Sequence, residues 1–140
     1  MTKTEARRID VFFYGLFMDE ALLREKGVHP LNRRLASAEN FRLLIGARAT
    51  LAPSANGSVY GVVFSLTHHE VDKLYSEDSV SIYRPEAISV QLGDGSLIPT
   101  LCFNLPEPPS IEERNPQYAA RLRDLAERIG LPREYVSSIE

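Results

Sequence analysis

The sequence predicts a mixed α+β domain whose strands curl into a small barrel or open sheet, with helices at intervals and at the end. Short runs of β-branched and aromatic residues, separated by turn residues, occupy much of the chain from residue 9 to residue 103. A strongly specified helix follows them. The length of 140 residues and the hydrophobic fraction of 44% fit one core rather than two. We therefore expect a single domain over residues 1–140, with a flexible N-terminal tail at residues 1–8.

The first elements are a strand and a short helix. Residues 9–13 carry β-branched and aromatic side chains, which favours a strand. Asp19 can cap a helix that runs to Arg24, and Gly27 and Pro30 end it.

The middle of the chain alternates strands with turn signals. Residues 40–45 and 47–51 are predicted as two short strands interrupted by Gly46, and residues 53–57 as a loop with an Asn-Gly turn. Residues 58–66 are predicted as a largely buried strand, in which Gly61 indicates a bulge or a close backbone approach.

The next segments predict a helix and a hairpin. Thr67 can cap a helix over residues 68–74. Residues 87–92 and 97–103 form the clearest hairpin pattern, joined by a Gly-Asp-Gly-Ser turn. Residues 105–115 are rich in proline and are expected to wrap a surface as an extended connector.

The final helix has both of its end signals. Asn115 caps it, Pro116 occupies the first turn and Gly130 ends it. Its apolar residues recur at helical spacing and form one stripe: Leu122, Leu125, Ala126 and Ile129.

Composition excludes several classes of function. The net charge of −3 disfavours a nucleic-acid footprint or a basic membrane patch. The single cysteine, Cys102, rules out an intramolecular disulfide and a cysteine-rich metal site. Because no apolar stretch has the length of a secretory or membrane-spanning segment, we expect a cytoplasmic protein without membrane or nucleic-acid partners.

The run from Val11 to Met18 is the most informative stretch. It stops at Tyr14-Gly15 just before the first helix, and such a break leaves backbone N–H groups without partners. These groups can bind an anion or a developing oxyanion. The alternative is that the turn only connects a strand to a helix.

Few other residues offer chemistry. His68 and His69 are neighbours on a helix and point about 100° apart, so they cannot share a metal ion, and we expect no metal site. Cys102 lies in a strand pattern and is expected to be a buried, inert thiol. Glu77 or Asp78, ahead of an aromatic strand entry, can serve as a proton shuttle or be a solvated helix-end acid.

Several of these segments, taken in order, resemble the γ-glutamylcyclotransferase-like family, which includes γ-glutamylamine cyclotransferases and AIG2-like proteins. The matching segments cover nearly the whole chain: the strand with its Tyr14-Gly15 turn, residues 49–53, residues 59–66, Glu77 ahead of Tyr83-Arg84, Asp94-Gly95-Ser96, residues 115–118 and residues 130–135. The resemblance implies a small mixed β-barrel with flanking helices. It also implies a cofactor-independent release of 5-oxoproline, in which the α-amine of a γ-glutamyl amine or peptide attacks its own γ-carbonyl.

The resemblance also implies site residues. In that family the turn after the first strand presents backbone N–H groups to the γ-glutamyl group, and a later glutamate moves the protons; Glu77 matches that glutamate. Tyr118 matches a tyrosine of the closing helix that contacts substrate, or else only covers the barrel. The turn positions are Tyr14, Gly15, Leu16, Phe17 and Met18.

Two departures keep alternatives open. Leu16 stands where many members have Ser or Thr, and Glu77-Asp78 replaces the usual Glu-Gly step, so Asp78 can be aligned as the acid instead.

The first hypothesis for the function is an acyltransferase or lyase acting on a small γ-glutamyl molecule, as a monomer or homodimer. The second is a non-catalytic binding or interaction module with the same barrel and pocket. A third is a structural partner protein that uses the acidic, proline-rich connector.

Overall fold

The structure is a computed structural model and describes residues 7–110 and 112–140. The strands are β1 (Arg8–Phe13), β2 (Leu31–Ile45), β3 (Ala49–Thr67), β4 (Arg84–Leu92) and β5 (Leu97–Asn104). The helices are α1 (Glu20–Glu25), α2 (His68–Leu74), α3 (Pro116–Ile129) and α4 (Arg133–Ser138), with a 3-10 turn at Leu16–Met18.

The strands close into a barrel in the order β1, β3, β2, β4, β5. Val11 of β1 lies beside Leu101 of β5 in a parallel pairing that closes the barrel. The other neighbouring strands run antiparallel. The predicted α+β class with a small barrel and flanking helices is therefore confirmed.

Alternating residues of β1 build two hydrophobic cores. Phe12 belongs to a cluster that draws side chains from all five strands of the described barrel, which places that cluster in the barrel interior. Val11 and Phe13 belong to a second cluster shared with residues of α1, α2 and α3. The helices therefore pack against the outer face of the barrel around β1.

The prediction of short strands around a loop at residues 53–57 is wrong. β2 begins at Leu31, and β3 continues through residues 53–57 as strand. Glu39 pairs with Ser58 and Phe41 with Pro53, so four residues of β3 bulge opposite one residue of β2. Pairing within the closed barrel outweighs the local turn signal.

Gly61 makes the close backbone approach that its position in the predicted strand indicated. A Cβ at this position would clash with the carbonyl oxygen of Phe13. The strand that leads to the Tyr14-Gly15 turn is thus fixed against β3.

The predicted helix caps are confirmed. The side chain of Asp19 accepts a hydrogen bond from the Ala21 N–H, and Thr67 forms a capping box with Glu70. Asn115 caps α3, and Gly130 ends it with a φ of 94°. Helix α4 was not predicted, because six residues after a proline carry too little periodicity to identify a helix.

Residues 1–6 of the predicted N-terminal tail lie outside the described residues, and Arg8 is already the first residue of β1. No helix in the described ranges has the length and apolar composition needed to cross a membrane.

Candidate active site

A cavity of about 430 Å³ opens where β1 leaves the barrel. Its walls come from separate parts of the chain: the turn after β1, the connection between β2 and β3, residues 75–83 and helix α3. The sequence-predicted turn and the sequence-predicted acid both lie on these walls.

The turn after β1 carries unpartnered backbone N–H groups at the wall of the cavity. Gly15, Leu16 and Phe17 line it. Met18 N–H donates to the Gly15 carbonyl, which closes the 3-10 turn. The N–H groups of Gly15 and Phe17 donate no hydrogen bond to the described part of the chain, as expected at the start of a helical turn. They are therefore available to an anionic or carbonyl oxygen.

Glu77 lines the same cavity and is paired with a lysine. Its Oε1 lies 2.8 Å from Nζ of Lys26, which lies at the C-terminal end of α1. The side chains are 42% and 25% exposed, respectively. Asp78 is exposed and does not line the cavity. Glu77, and not Asp78, thus lines the same cavity as the turn.

Aromatic rings form the apolar wall of the cavity. Tyr75 stacks on Phe103, with ring centroids 3.9 Å apart, and meets Phe17 and Tyr83 edge to face. The Tyr83 hydroxyl donates a hydrogen bond to the Ala49 carbonyl. Burial raises the pKa of Tyr75 and of Tyr83, so both phenols stay protonated near neutral pH. Neither tyrosine can act as the base.

Tyr118 reaches the turn from the first part of α3. Its hydroxyl would lie 2.7 Å from a Cβ at position 15, so a glycine at that position leaves room for the hydroxyl. Burial raises the pKa of Tyr118, and the Leu16 backbone and the charge of Arg121 partly offset that increase. The hydroxyl is therefore a neutral donor and acceptor beside the turn.

Two arginines add positive charge to the cavity wall. Arg48 lies between β2 and β3, and its Nε donates to the Ser79 carbonyl at 2.7 Å. Arg121 lies one turn after Tyr118 on α3. Neither forms a salt bridge with another described residue. The cavity wall therefore carries more positive than negative charge.

Two of the predicted contact residues have other roles. The Tyr14 hydroxyl donates toward the Phe103 carbonyl and Oδ1 of Asn104, at 2.7 and 2.9 Å, so it is engaged in the barrel. Tyr14 also lines the cavity. Met18 is 2% exposed, belongs to the hydrophobic core and does not line the cavity. Met18 is therefore removed from the candidate contact residues.

The other candidate groups do not reach the cavity. His68 and His69 are exposed at the start of α2 and do not line the cavity. Cys102 is buried, and burial raises its pKa to about 12, which leaves an inert thiol.

Sequence reasoning missed the cationic residues of the site. Lys26 and Arg48 are distant in sequence from their partners Glu77 and Ser79, so no local pattern could identify them. For Arg121, a sequence pattern was available. Its spacing of three residues from Tyr118 places both side chains on one face of a helix.

Comparison with known proteins agrees with this architecture. The model of the AIG2-like family matches residues 58–139. A search of curated protein sequences found no match.

Among solved structures, a γ-glutamyl cyclotransferase is similar to this chain with a TM-score of 0.80 and 21% identity, over 96% of this chain and 89% of the other. An uncharacterized protein from Homo sapiens has a TM-score of 0.78 and 22% identity over the same shares. An AIG2-like protein from Mus musculus has a TM-score of 0.59 and 17% identity, over 79% of this chain and 90% of the other. At these identities the similarity shows the fold alone. Together with the family match over more than half of the chain, it shows that this protein belongs to the AIG2-like family and has the fold of the γ-glutamyl cyclotransferases.

Proposed function

We propose that this protein is a cyclotransferase that releases 5-oxoproline from a γ-glutamyl amine or γ-glutamyl peptide. The observation that carries the proposal is that Glu77 lines the same cavity as the turn residues Gly15, Leu16 and Phe17. A carboxylate supplies proton transfer, and free N–H groups supply an oxyanion site. An intramolecular acyl transfer needs these two elements and a means of positioning the substrate.

The reaction begins with a proton transfer. The α-ammonium group of the substrate gives a proton to the Glu77 carboxylate, and the free amine attacks the γ-carbonyl carbon. The carbonyl oxygen becomes an oxyanion, which the N–H groups of Gly15 and Phe17 stabilise. The aromatic wall around Tyr75 lowers the local dielectric constant, which strengthens these hydrogen bonds.

Collapse of this intermediate completes the transfer. The bond from the carbonyl carbon to the leaving nitrogen breaks as Glu77 passes protons to that nitrogen. Of the three α-ammonium protons, one remains on the ring nitrogen and two leave with the departing amine. The products are 5-oxoproline and the protonated form of the leaving amine, and water is not consumed.

The proposed setting is the cytoplasm, with a free small molecule as the substrate and a monomer or homodimer as the active form. A single buried cysteine is compatible with a reducing compartment. The net charge of −3 gives no electrostatic attraction for nucleic acid.

The test is 5-oxoproline release from a mixture of γ-glutamyl dipeptides, γ-glutamyl amines and glutathione, followed by mass spectrometry. We expect product from the wild type and a loss of at least about a hundredfold in Glu77→Gln. Asp78→Asn is the matched control, because Asp78 is exposed beside Glu77 and does not line the cavity.

Activity lost in Asp78→Asn but kept in Glu77→Gln would overturn the assignment of the acid. A shift of the melting temperature with γ-glutamyl compounds, without product, would favour the binding module instead. Leu16, in place of a hydroxyl residue, is the feature that motivates this alternative.

A further inference from the structure

The turn between β2 and β3 forms one wall of the cavity, although it lies at the end of the two strands. Ala47 and Arg48 line the cavity and are exposed to solvent. Within the turn, the Gly46 N–H donates to the Arg48 carbonyl at 3.0 Å. A short turn with exposed side chains has few contacts of its own, so its position depends on the segments that bind it.

The proline-rich connector between β5 and α3 supplies such contacts. Glu113 accepts a hydrogen bond from the Ala47 N–H through Oε1, at 3.1 Å, and one from the Ser110 N–H through Oε2, at 2.7 Å. These two hydrogen bonds hold the pKa of Glu113 below its usual value of 4.5, so the side chain is a carboxylate at neutral pH. Its two oxygens thus join the connector to the turn.

Gly46 lets the connector approach the turn closely. A Cβ at position 46 would lie 2.6 Å from Cβ of Pro109 and 2.7 Å from Oε1 of Glu113. Nδ2 of Asn115 also donates to the Gly46 carbonyl at 3.1 Å, while Oδ1 of Asn115 caps α3. The connector is therefore bound to the turn at two successive positions, 46 and 47.

The turn in its own right holds the segment that carries the proposed acid and base. Nε of Arg48 donates to the Ser79 carbonyl at 2.7 Å, and the Tyr83 hydroxyl donates to the Ala49 carbonyl. Ala49 is buried and paired with β2, so the barrel fixes its position. Arg48 lies outside this pairing. Its hydrogen bond to Ser79 therefore depends on the position of the turn, and hence on Glu113.

We propose that Glu113 is a positioning residue: its carboxylate fixes the turn between β2 and β3, and Arg48 of this turn holds residues 79–83 so that Glu77 is kept at the cavity wall. Glu113 does not line the cavity, so its effect on the reaction is indirect. This inference rests on the cyclotransferase function proposed above and adds a residue that contact with the substrate would not identify.

Hydrogen exchange measures the order of this segment without reference to activity. The amides of Val80 and Tyr83 donate to the Glu77 and Val80 carbonyls at 3.0 and 3.1 Å, so their exchange reports on the segment. In Glu113→Ala both amides should exchange faster by about threefold or more, whereas the amide of Val63, paired on both sides in β3, should not change. Glu113→Gln keeps one acceptor oxygen and should give a smaller increase.

Steady-state kinetics connects the segment to the reaction. We expect Glu113→Ala to reduce kcat for 5-oxoproline release by about fivefold, because Glu77 is then held less well at the reacting nitrogen. The matched control is Glu112→Ala, which removes the same charge from the neighbouring exposed residue and should keep the wild-type kcat and exchange rates. Arg48→Met removes the hydrogen bond to Ser79, so Glu113→Ala should have little further effect on kcat in that background.

The outcomes separate this inference from the proposed function. Unchanged exchange at Val80 and Tyr83 in Glu113→Ala would overturn the inference. An equal increase at Val63 would overturn it too, because a general loss of stability is not positioning, and so would faster exchange with an unchanged kcat. Additive losses of kcat in Glu113→Ala and Arg48→Met would exclude the route through Arg48. No 5-oxoproline from the wild type would overturn the proposed function, while the exchange rates would still decide whether Glu113 holds the segment.

Discussion

The ammonium group of Lys26 lies 2.8 Å from Oε1 of Glu77, and this ion pair joins the end of α1 to the irregular segment that carries the proposed acid and base. Residues 75–83 contain no helix or strand of their own. The rotamer of Glu77 therefore depends on the contacts of its side chain. Among the described residues, the only hydrogen-bond donor to the carboxylate is Lys26.

Lys26→Met should reduce kcat for 5-oxoproline release by about tenfold. Without the ion pair to Lys26, the Glu77 carboxylate is displaced from the reacting nitrogen. The free energy of unfolding should change by less than about 1 kcal/mol, as expected for a partly exposed ion pair. Steady-state kinetics and urea unfolding measure the two effects. Lys26→Arg should keep most of the activity. A large loss of stability with unchanged kcat per folded molecule would contradict the positioning role.

The contact between Gly15 and Tyr118 gives a second prediction. The backbone at Gly15 has a φ of −114°, which other residues also adopt, so only the Tyr118 hydroxyl opposes a larger side chain at this position. Gly15→Ala should therefore reduce kcat/KM and destabilise the protein by about 1 kcal/mol, at the low end of overpacking costs.

Tyr118→Phe removes the hydroxyl that would clash with the added methyl group. The double variant Gly15→Ala, Tyr118→Phe should then recover the stability lost in Gly15→Ala, so that a double-mutant cycle measured by urea unfolding gives a coupling energy above about 0.5 kcal/mol. Additive effects would mean that the methyl group is accommodated elsewhere.

Tyr14 contributes to the barrel through its hydroxyl. Tyr14→Phe removes the hydroxyl donor from two buried acceptors, the Phe103 carbonyl oxygen and Oδ1 of Asn104. We expect the free energy of unfolding to fall by about 1–2 kcal/mol, which is the usual cost of breaking a buried hydrogen bond. Urea unfolding with an unchanged m-value would measure it. A change in the free energy of unfolding below about 0.3 kcal/mol would show that other donors replace the hydrogen bonds of the Tyr14 hydroxyl.

The sequence predicted those elements whose signals are local. Asp19, Thr67 and Asn115 cap helices through atoms within three residues of themselves, so short-range chemistry identifies them. The β4 and β5 hairpin is likewise set by its turn. The long β2 strand and the bulge opposite Asn40 depend on pairing across the barrel, and no local pattern determines that pairing.

The candidate site divides in the same way. The break at Tyr14-Gly15 is visible in the sequence because it interrupts an apolar run. The choice between Glu77 and Asp78 depends on which side chain turns toward the cavity, and two adjacent residues in an irregular segment give no periodicity to decide it. Lys26 reaches Glu77 across 51 positions of sequence, which only the folded chain reveals.

Glu70 gives the last prediction, which concerns stability and pH. Its carboxylate accepts hydrogen bonds from the backbone N–H groups of Thr67 and His29, at 2.9 and 2.7 Å. Burial raises the pKa of Glu70, but these hydrogen bonds and the charge of Arg8 outweigh it, and the net pKa lies below the usual 4.5. Glu70→Gln should therefore lower the free energy of unfolding at pH 7 by about 1–2 kcal/mol.

The pH dependence of this effect follows from the direction of the shift. Because the pKa of Glu70 is lower in the folded state, the stabilisation from its carboxylate is fully present above the unfolded-state pKa. It is lost as pH falls through the lowered pKa of the folded state. Urea unfolding at several values of pH between 7 and 3 should thus show the wild type and Glu70→Gln converging in acid. Glu25→Gln, at an exposed position on α1, should change stability by less than about 0.5 kcal/mol at each pH. A constant difference between wild type and Glu70→Gln across this range would show that the carboxyl group stabilises α2 through its shape and not through its charge.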